Sequence, residues 1–140
     1  MSKTVLITGA SGGYGKATAK AFADKGHTVI IAARNKERLE QAKLETGADQ
    51  AVLMDVTVPQ DWTKAKNIIL DTYGHLDVLV NNAGGGVAIK EVSALSISEI
   101  DDVIKLNLNS VIYGCREFAD VMKKQKYGTM INISSVCARE

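Results

Sequence analysis

Five short runs of β-branched and other apolar residues alternate along this chain with longer stretches of mixed polarity. The runs are Lys3–Thr8, Thr28–Ala33, Gln50–Met54, Asp77–Asn81 and Thr129–Ile133. Inside them the apolar residues are consecutive rather than alternating with polar ones, which is typical of strands that helices cover on both faces. Because parallel strands need a crossover between them, this order predicts a parallel sheet with connecting helices.

The stretches between the runs carry helix signals. The predicted helices are Gly13–Lys25, Lys36–Glu45, Pro59–Tyr73, a short one around Ser96–Val103 and a long one from about Leu106 to Lys124. Gly26 and Gly47 follow the first two as candidate C-caps, and Pro59 suits a first helical turn. The order βαβαβαβααβ indicates an α/β fold, a Rossmann-type doubly wound parallel sheet in three layers (α/β/α), incomplete on its C-terminal side. We expect one domain over residues 1–140.

The charge balance argues against two classes of partner. The chain has 17 Lys and Arg against 16 Asp and Glu, a formal net charge of +1, so we expect neither a nucleic-acid nor a membrane partner. The first apolar run is too short for a signal peptide or a membrane span. The two cysteines, Cys115 and Cys137, make no disulfide framework, so we expect reduced thiols and a cytoplasmic location. The two histidines have no partners at metal-ligand spacing, so we expect no metal site.

A glycine-rich turn joins the first strand to the first helix. A pyrophosphate needs main-chain N–H groups aimed at it and no β-carbons blocking its approach. Four glycines in seven residues supply both conditions. The predicted cofactor-binding residues here are Gly9, Ser11, Gly12, Gly13, Tyr14 and Gly15. A plain tight turn is the alternative, but the position within a βαβ unit favours a nucleotide site.

The end of the second strand bears on the choice of cofactor. A carboxylate there accepts hydrogen bonds from the ribose hydroxyls of NAD, whereas an arginine accommodates the 2′-phosphate of NADP. The sequence has Ala33-Arg34-Asn35 at this point and no acid, and the planar fork of Arg34 suits a phosphate. We therefore expect NADP to be preferred over NAD. A solvated Arg34 is the alternative, and Glu37 lies too far into the next helix.

The motifs occur in a characteristic order. They are Thr8-Gly9-x-x-x-Gly13-x-Gly15, Asp55-Val56, Asn81-Asn82-Ala83-Gly84, Asn107 and Asn132-Ile133-Ser134-Ser135. This series, which covers the whole chain, resembles that of the short-chain dehydrogenases/reductases. The resemblance implies that Asp55 contacts the adenine amino group, that Val56 lines the ring pocket and that Asn82 contacts the cofactor. Small residues at Ala83 and Gly84 would let the backbone approach it. From the sequence alone, Asp55 as a turn or N-capping residue is nearly as good an interpretation.

The resemblance also implies a reaction and part of a catalytic set. The reaction is NADP(H)-dependent interconversion of a carbonyl and an alcohol in a small-molecule substrate by hydride transfer, which requires a proton donor. Ser135 matches the serine that binds the substrate oxygen, and Asn107 matches the asparagine of a proton relay. The alternatives are an ordinary strand-end hydroxyl for Ser135 and a buried structural amide for Asn107.

The remaining catalytic pair of the family, Tyr-x-x-x-Lys, has no match in these residues. It is expected about a dozen positions after Ser135, and none of the four tyrosines is followed by lysine four residues later. We expect these 140 residues alone to be inactive and to leave the last strand at an unprotected edge.

A homo-oligomer is expected because many family members associate through the long helix. The alternatives are a non-catalytic nucleotide-binding module, an inactive truncated fragment, or a methyltransferase domain, which usually has an acid where Arg34 stands.

Overall fold

The computed structural model describes residues 1–86 and 90–135 of the chain. Its five strands form one parallel sheet in the order β3-β2-β1-β4-β5. They are β1 (Thr4–Thr8), β2 (Thr28–Ala33), β3 (Gln50–Leu53), β4 (Val78–Asn81) and β5 (Thr129–Asn132). Each strand lies within its predicted run. The order reverses between β1 and β4, and a sheet of this kind binds ligands beside that reversal.

Helices cover both faces of the sheet. They are α1 (Gly13–Ala23), α2 (Lys36–Thr46), α3 (Pro59–Tyr73), α4 (Ile97–Ile104) and α5 (Ser110–Gln125). α1 packs with α2 on one face, and α3 packs with α5 on the other. Adjacent residues of a strand point to opposite faces, so Leu6 joins the core under α3 and α5 while Val5 and Ile7 join the core under α1 and α2. The three-layer, doubly wound fold is thus confirmed.

Two helix boundaries differ from the prediction by more than one residue. α1 ends at Ala23 rather than Lys25. Gly26 has the expected positive φ of +75°, but its N–H donates to the Ala23 carbonyl from beyond the helix end. The difference arises because the last turn closes through shorter bonds: the Lys25 N–H reaches back only to the Phe22 carbonyl, three residues away.

The long helix is also continuous with its shorter neighbour. A π-helical turn at Lys105–Asn109 joins α4 to α5, and α5 begins at Ser110 rather than at Leu106. No glycine or proline interrupts this segment, so the backbone stays helical across the expected break. The Ser110 hydroxyl donates to the Leu106 carbonyl over 2.5 Å. A single 3₁₀ turn, Val92–Ala94, precedes α4 and was not expected.

β5 lies at one edge of the described sheet. It pairs with β4 alone, and Ile131 and Ile133 remain 39% and 50% exposed.

Within residues 1–86 and 90–135 there is no group of three potential metal ligands. No helix in that part of the chain has the length and apolar character to cross a membrane. Cys115 is a free, half-buried thiol, and Cys137 lies outside the described residues.

Candidate nucleotide-binding site

The glycine turn lies directly against the end of β4. A Cβ on Gly9 would stand 2.8 Å from the Cα of Ala83, and one on Gly15 would stand 2.5 Å from Nδ2 of Asn82. Gly9 and Gly13 also have φ values of +66° and +51°, which favour glycine. At Gly13 no atom lies within 4 Å of the Cβ position, so conformation alone requires a glycine there. A side chain at Gly9 or Gly15 would push the turn away from β4.

A hydrogen-bond network fastens this turn to β4. The hydroxyl of Thr8, at the end of β1, accepts from the backbone N–H groups of Asn82 and Ala83, each over 3.1 Å. In return, Nδ2 of Asn82 donates to the Thr8 carbonyl over 2.9 Å and to the Gly9 carbonyl over 3.4 Å. The Asn82 amide nitrogen is therefore engaged within the protein, where it holds the glycine turn in place.

A cavity of about 310 Å³ opens between the carboxyl ends of β1, β2 and β3. Seven of the predicted residues line it: Gly9, Ser11, Arg34, Asp55, Val56, Ala83 and Gly84. Ala33, Asn35, Arg38, Met54 and Leu106 complete the lining. Cavities of this size hold small molecules and cofactors. The structure thus brings the ends of three strands, the glycine turn and Arg34 around one space.

The other residues predicted in the turn lie around this cavity. Gly12 and Gly13 line an adjoining groove together with Arg38. Gly15 is buried behind the turn. Tyr14 projects on the other side and is 86% exposed. The turn therefore separates two spaces, one beside α2 and one beside Tyr14.

Asp55 has the turn role that the sequence left open. Its Oδ1 accepts from the N–H and the hydroxyl of Thr57 over 2.9 and 2.7 Å. Its own backbone N–H donates to Oδ2 of Asp61 over 3.0 Å. That hydrogen bond, with a smaller contribution from Lys64, holds the pKa of the Asp61 carboxyl below its usual range. The next residue, Val56, is buried, and its carbonyl accepts from Nε1 of Trp62 over 2.9 Å.

A second cavity, of about 670 Å³, contains both predicted catalytic residues. Asn107 and Ser135 line it, and the other lining residues are Tyr14, Asn82, Ala83, Gly84, Gly85, Gly86, Val111, Ile133 and Ser134. The walls are formed by α1, the end of β4, the π-helical turn and the residues after β5. Ala83 and Gly84 line both cavities, so the two spaces adjoin at the end of β4.

The side chain of Asn107 holds the backbone of Gly85. Its Nδ2 donates to the Gly85 carbonyl over 2.7 Å and to the Val103 carbonyl over 3.0 Å, and its Oδ1 accepts from the Gly85 N–H over 3.0 Å. Asn107 is exposed, whereas the alternative given in the sequence analysis was a buried structural amide. Asn107 therefore links the π-helical turn to the glycines that follow β4.

Two residues of the site went unpredicted as functional groups. Thr8 appeared only as part of a motif, because the role of its hydroxyl depends on residues more than 70 positions away. Arg38 went unnoticed because it lies inside a predicted helix. Side chains on a helix lean toward its N-terminus, and that signal could have placed Arg38 back over the turn.

Known proteins resemble this chain along its whole length. The sequence profile described as short chain dehydrogenase matches residues 3–140. A serine 3-dehydrogenase from Agrobacterium fabrum is 34% identical over 139 residues, which are 99% of this chain and 55% of that protein. An uncharacterized oxidoreductase from Staphylococcus epidermidis is 31% identical over 140 residues, 99% of this chain and 60% of its own length. The chain thus spans somewhat more than half the length of these curated relatives.

Solved structures agree with the sequence matches. A short chain dehydrogenase from Bacillus anthracis has a TM-score of 0.93 at 35% identity, with 99% of this chain and 57% of that one covered. A metagenomic short-chain oxidoreductase solved in complex with NADP has a TM-score of 0.91 at 31% identity, with 99% of this chain and 64% of that one covered. With the profile match and the motif series, these similarities show that the chain belongs to the short-chain dehydrogenase family.

Proposed function

We propose that this chain is the cofactor-binding part of an NADP(H)-dependent oxidoreductase that interconverts a carbonyl and an alcohol in a small molecule. The observation that carries the proposal is the 310 Å³ cavity, where the glycine turn and Arg34 lie on the same space. The metagenomic relative named above was solved with NADP. The chain's own residues support the same cofactor.

The residues present fit a dinucleotide phosphate. Positions 9 and 15 have no room for a Cβ, so the turn stays close to β4 and presents no β-carbon at these two positions to a pyrophosphate bound at the helix N-terminus. Arg34 offers an exposed cation at the end of β2, where a 2′-phosphate would be met. When bound, the cofactor would supply the hydride and leave the protein to orient the substrate and move the proton.

The second cavity is the proposed place for the substrate. We assign Ser135 as the hydrogen-bond donor to the substrate oxygen and Asn107 as the group that fixes Gly85 at the cavity wall. A carbonyl that accepts hydride also needs a proton donor, and no tyrosine of the sequence precedes a lysine by four positions. We therefore expect these 140 residues to bind the cofactor but to turn over substrate negligibly.

The cofactor assignment is tested by comparing NADPH with NADH in direct binding. We expect wild type to bind NADPH at least about 10-fold more tightly, because Arg34 forms charge-assisted hydrogen bonds with the 2′-phosphate. Arg34→Ala should remove most of that preference and leave NADH affinity nearly unchanged. Equal affinity of the wild-type protein for both nucleotides would contradict the proposal.

A non-catalytic nucleotide-binding module is a second candidate. The engagement of Asn107 with Gly85 and Val103 favours it, because the same contacts would serve a purely structural role. This candidate predicts that a Tyr-x-x-x-Lys pair supplied after Ser135 adds no activity. NADPH-dependent carbonyl reduction by such an extended chain, lost again in Ser135→Ala, would support the enzyme instead.

Self-association is proposed on an exposed apolar stripe. Ile104, Leu108 and Ile112 recur every four residues from α4 into α5, and each is about half exposed. Such a stripe is typical of a surface that another helix covers, and a second copy of the chain is the proposed occupant. Sedimentation should show a dimer or larger species at micromolar concentration, and a stable monomer would contradict this.

The cytoplasmic location stays a prediction.

A further inference from the structure

The 670 Å³ cavity proposed for the substrate differs in charge from the cofactor cavity beside it. Every residue of its described lining is apolar, small, or polar without a charge. The 310 Å³ cavity, in contrast, is lined by Arg34, Arg38 and Asp55. Charged groups therefore surround the proposed cofactor site, whereas the described wall of the proposed substrate site has none.

Charged residues of the neighbouring segments are paired away from this cavity. Lys16, two residues after Tyr14 on α1, pairs with Glu45 of α2 over 2.6 Å. Lys90 pairs with Glu99 of α4. None of these four charged residues lines the cavity. A substrate carboxylate or ammonium would therefore leave water without a counter-charge in the described wall, and an unpaired buried charge is costly.

The polar groups of the wall suit a neutral oxygen. The amide nitrogens of Asn82 and Asn107 each donate to two backbone carbonyls of the protein. The other side-chain donors in the described lining are the hydroxyls of Tyr14, Ser134 and Ser135. A hydroxyl is an uncharged donor and acceptor, so it matches a carbonyl or an alcohol oxygen and does not neutralise a charged group.

Tyr14 and a run of glycines give this cavity an aromatic face and a flat wall. Tyr14 is the only aromatic residue of the described lining, and it is 86% exposed, so its ring is accessible to a ligand. The wall at residues 84–86 has no side chains, and Asn107 fixes it through both backbone groups of Gly85. Aromatic rings gain free energy from packing against one another beyond the apolar area they bury. A flat ring therefore fits this space.

We propose that the substrate is an uncharged carbonyl compound, or the corresponding alcohol, that carries an aromatic ring, and that Tyr14 selects it by packing against that ring. This inference rests on the proposed function and names the class of substrate for the same cavity. The substrate oxygen lies at Ser135, as proposed above. The ring lies against Tyr14 and the glycine wall.

The test measures the binding of three ketones to the 140-residue chain in the presence of saturating NADP⁺, so it needs no turnover. Acetophenone is uncharged and has a flat ring, cyclohexyl methyl ketone has a puckered ring of similar size, and 4-acetylbenzoate adds a carboxylate to acetophenone. Saturation-transfer NMR titrations give the three affinities. Acetophenone should bind about 5-fold more tightly than cyclohexyl methyl ketone and at least about 10-fold more tightly than 4-acetylbenzoate.

Substitutions of Tyr14 test the aromatic contact. Tyr14→Leu keeps an apolar side chain but removes the ring, so acetophenone should weaken about 5-fold and cyclohexyl methyl ketone by less than about 2-fold. Tyr14→Phe keeps the ring, so the affinity for acetophenone should stay within about 2-fold. Tyr127→Leu is the matched control, because Tyr127 is also exposed and is absent from the cavity lining. It should leave all three affinities within about 2-fold.

The outcomes distinguish this inference from the proposed function. Failure of the wild-type chain to bind NADP⁺ would contradict the proposed function itself. If NADP⁺ binds but acetophenone does not, or binds no more tightly than 4-acetylbenzoate, only the substrate class is overturned. An affinity for acetophenone that is unchanged in Tyr14→Leu, or equally reduced in Tyr127→Leu, would overturn the role of Tyr14.

The affinity for NADP⁺ is measured in each variant as well. It should change by less than about 2-fold in Tyr14→Leu, because the substitution leaves the backbone N–H groups of the turn in place. Equal losses of NADP⁺ and acetophenone affinity would also overturn the role of Tyr14, since its ring would then contact the cofactor. Urea unfolding followed by Trp62 emission checks that each variant is folded.

Discussion

Gly13 and Gly15 lie two residues apart in the same turn, and they should resist substitution for different physical reasons. Gly13 has a φ of +51° and open space around its Cβ position. Gly15 has no positive φ, but a Cβ there would lie 2.6 Å from the Gly9 carbonyl oxygen and 2.5 Å from Nδ2 of Asn82. Alanine at position 13 is therefore strained in its backbone, whereas alanine at position 15 collides with its neighbours.

The two costs differ in size. An alanine held in the left-handed region costs about 1 kcal/mol, so Gly13→Ala should lower the free energy of unfolding by that amount. Overpacking costs about 1–3 kcal/mol, and displacing Asn82 from the Thr8 carbonyl adds about 1 kcal/mol. A gain of about 0.5–1 kcal/mol from replacing glycine in a helix offsets part of this. We expect a net loss of about 1–3.5 kcal/mol for Gly15→Ala, with a middle value of about 2 kcal/mol.

Urea unfolding followed by fluorescence measures both variants with one probe. Trp62 is the only tryptophan and is 1% exposed, so its emission should shift to longer wavelength when the core opens. With a slope of about 2 kcal/mol per molar urea, the midpoint should fall by about 0.5 M for Gly13→Ala. For Gly15→Ala it should fall by about 1 M. A Gly15→Ala midpoint equal to or above that of Gly13→Ala would refute the steric argument.

Two further changes test the network around the site. Thr8→Val keeps the shape but removes the acceptor for the N–H groups of Asn82 and Ala83, so it should cost about 2 kcal/mol, read from the same urea midpoints. Asp61→Asn should cost about 1 kcal/mol at pH 7, because the Asp55 N–H stabilises the carboxylate and lowers its pKa. That contribution is present above the ordinary aspartate pKa and is lost as pH falls through the lowered one. The gap between wild type and Asp61→Asn should therefore close in acid, and a constant gap would contradict the assignment.

The central strands β1 and β2 were predictable because they are buried on both faces. Val5, Leu6 and Ile7 are all fully buried, although Leu6 points to one helical layer and its two neighbours point to the other. A run of consecutive apolar residues in the sequence therefore indicates a strand that is covered on both faces. The π-helical turn could not be predicted in this way, because the residues of Lys105–Asn109 are ordinary for an α-helix. A π-helical turn contains one residue more than an α-helical turn. Only the structure, in which Asn107 contacts Gly85, shows this difference.

The site was predictable where backbone geometry demands a residue type. Gly9 needs both a positive φ and a close approach to Ala83, and such requirements are visible as glycines in the sequence. The tie between Thr8 and Asn82 joins residues 74 positions apart, so local pattern could not pair them. Arg38 was missed because position along a helix gives no measure of how far a long side chain reaches back.

The bonds between Thr8, Asn82 and Ala83 also bear on the entropy of nucleotide binding. They hold the seven-residue turn from Gly9 to Gly15 against β4 through contacts made within the protein. Ordering a mobile backbone costs roughly 1–2 kcal/mol per residue, and a micromolar complex releases only about 8 kcal/mol in total. A turn of this length that ordered only upon binding would oppose most of that free energy. Because these bonds order the turn as the protein folds, none of the nucleotide's contact energy is needed to order these residues upon binding.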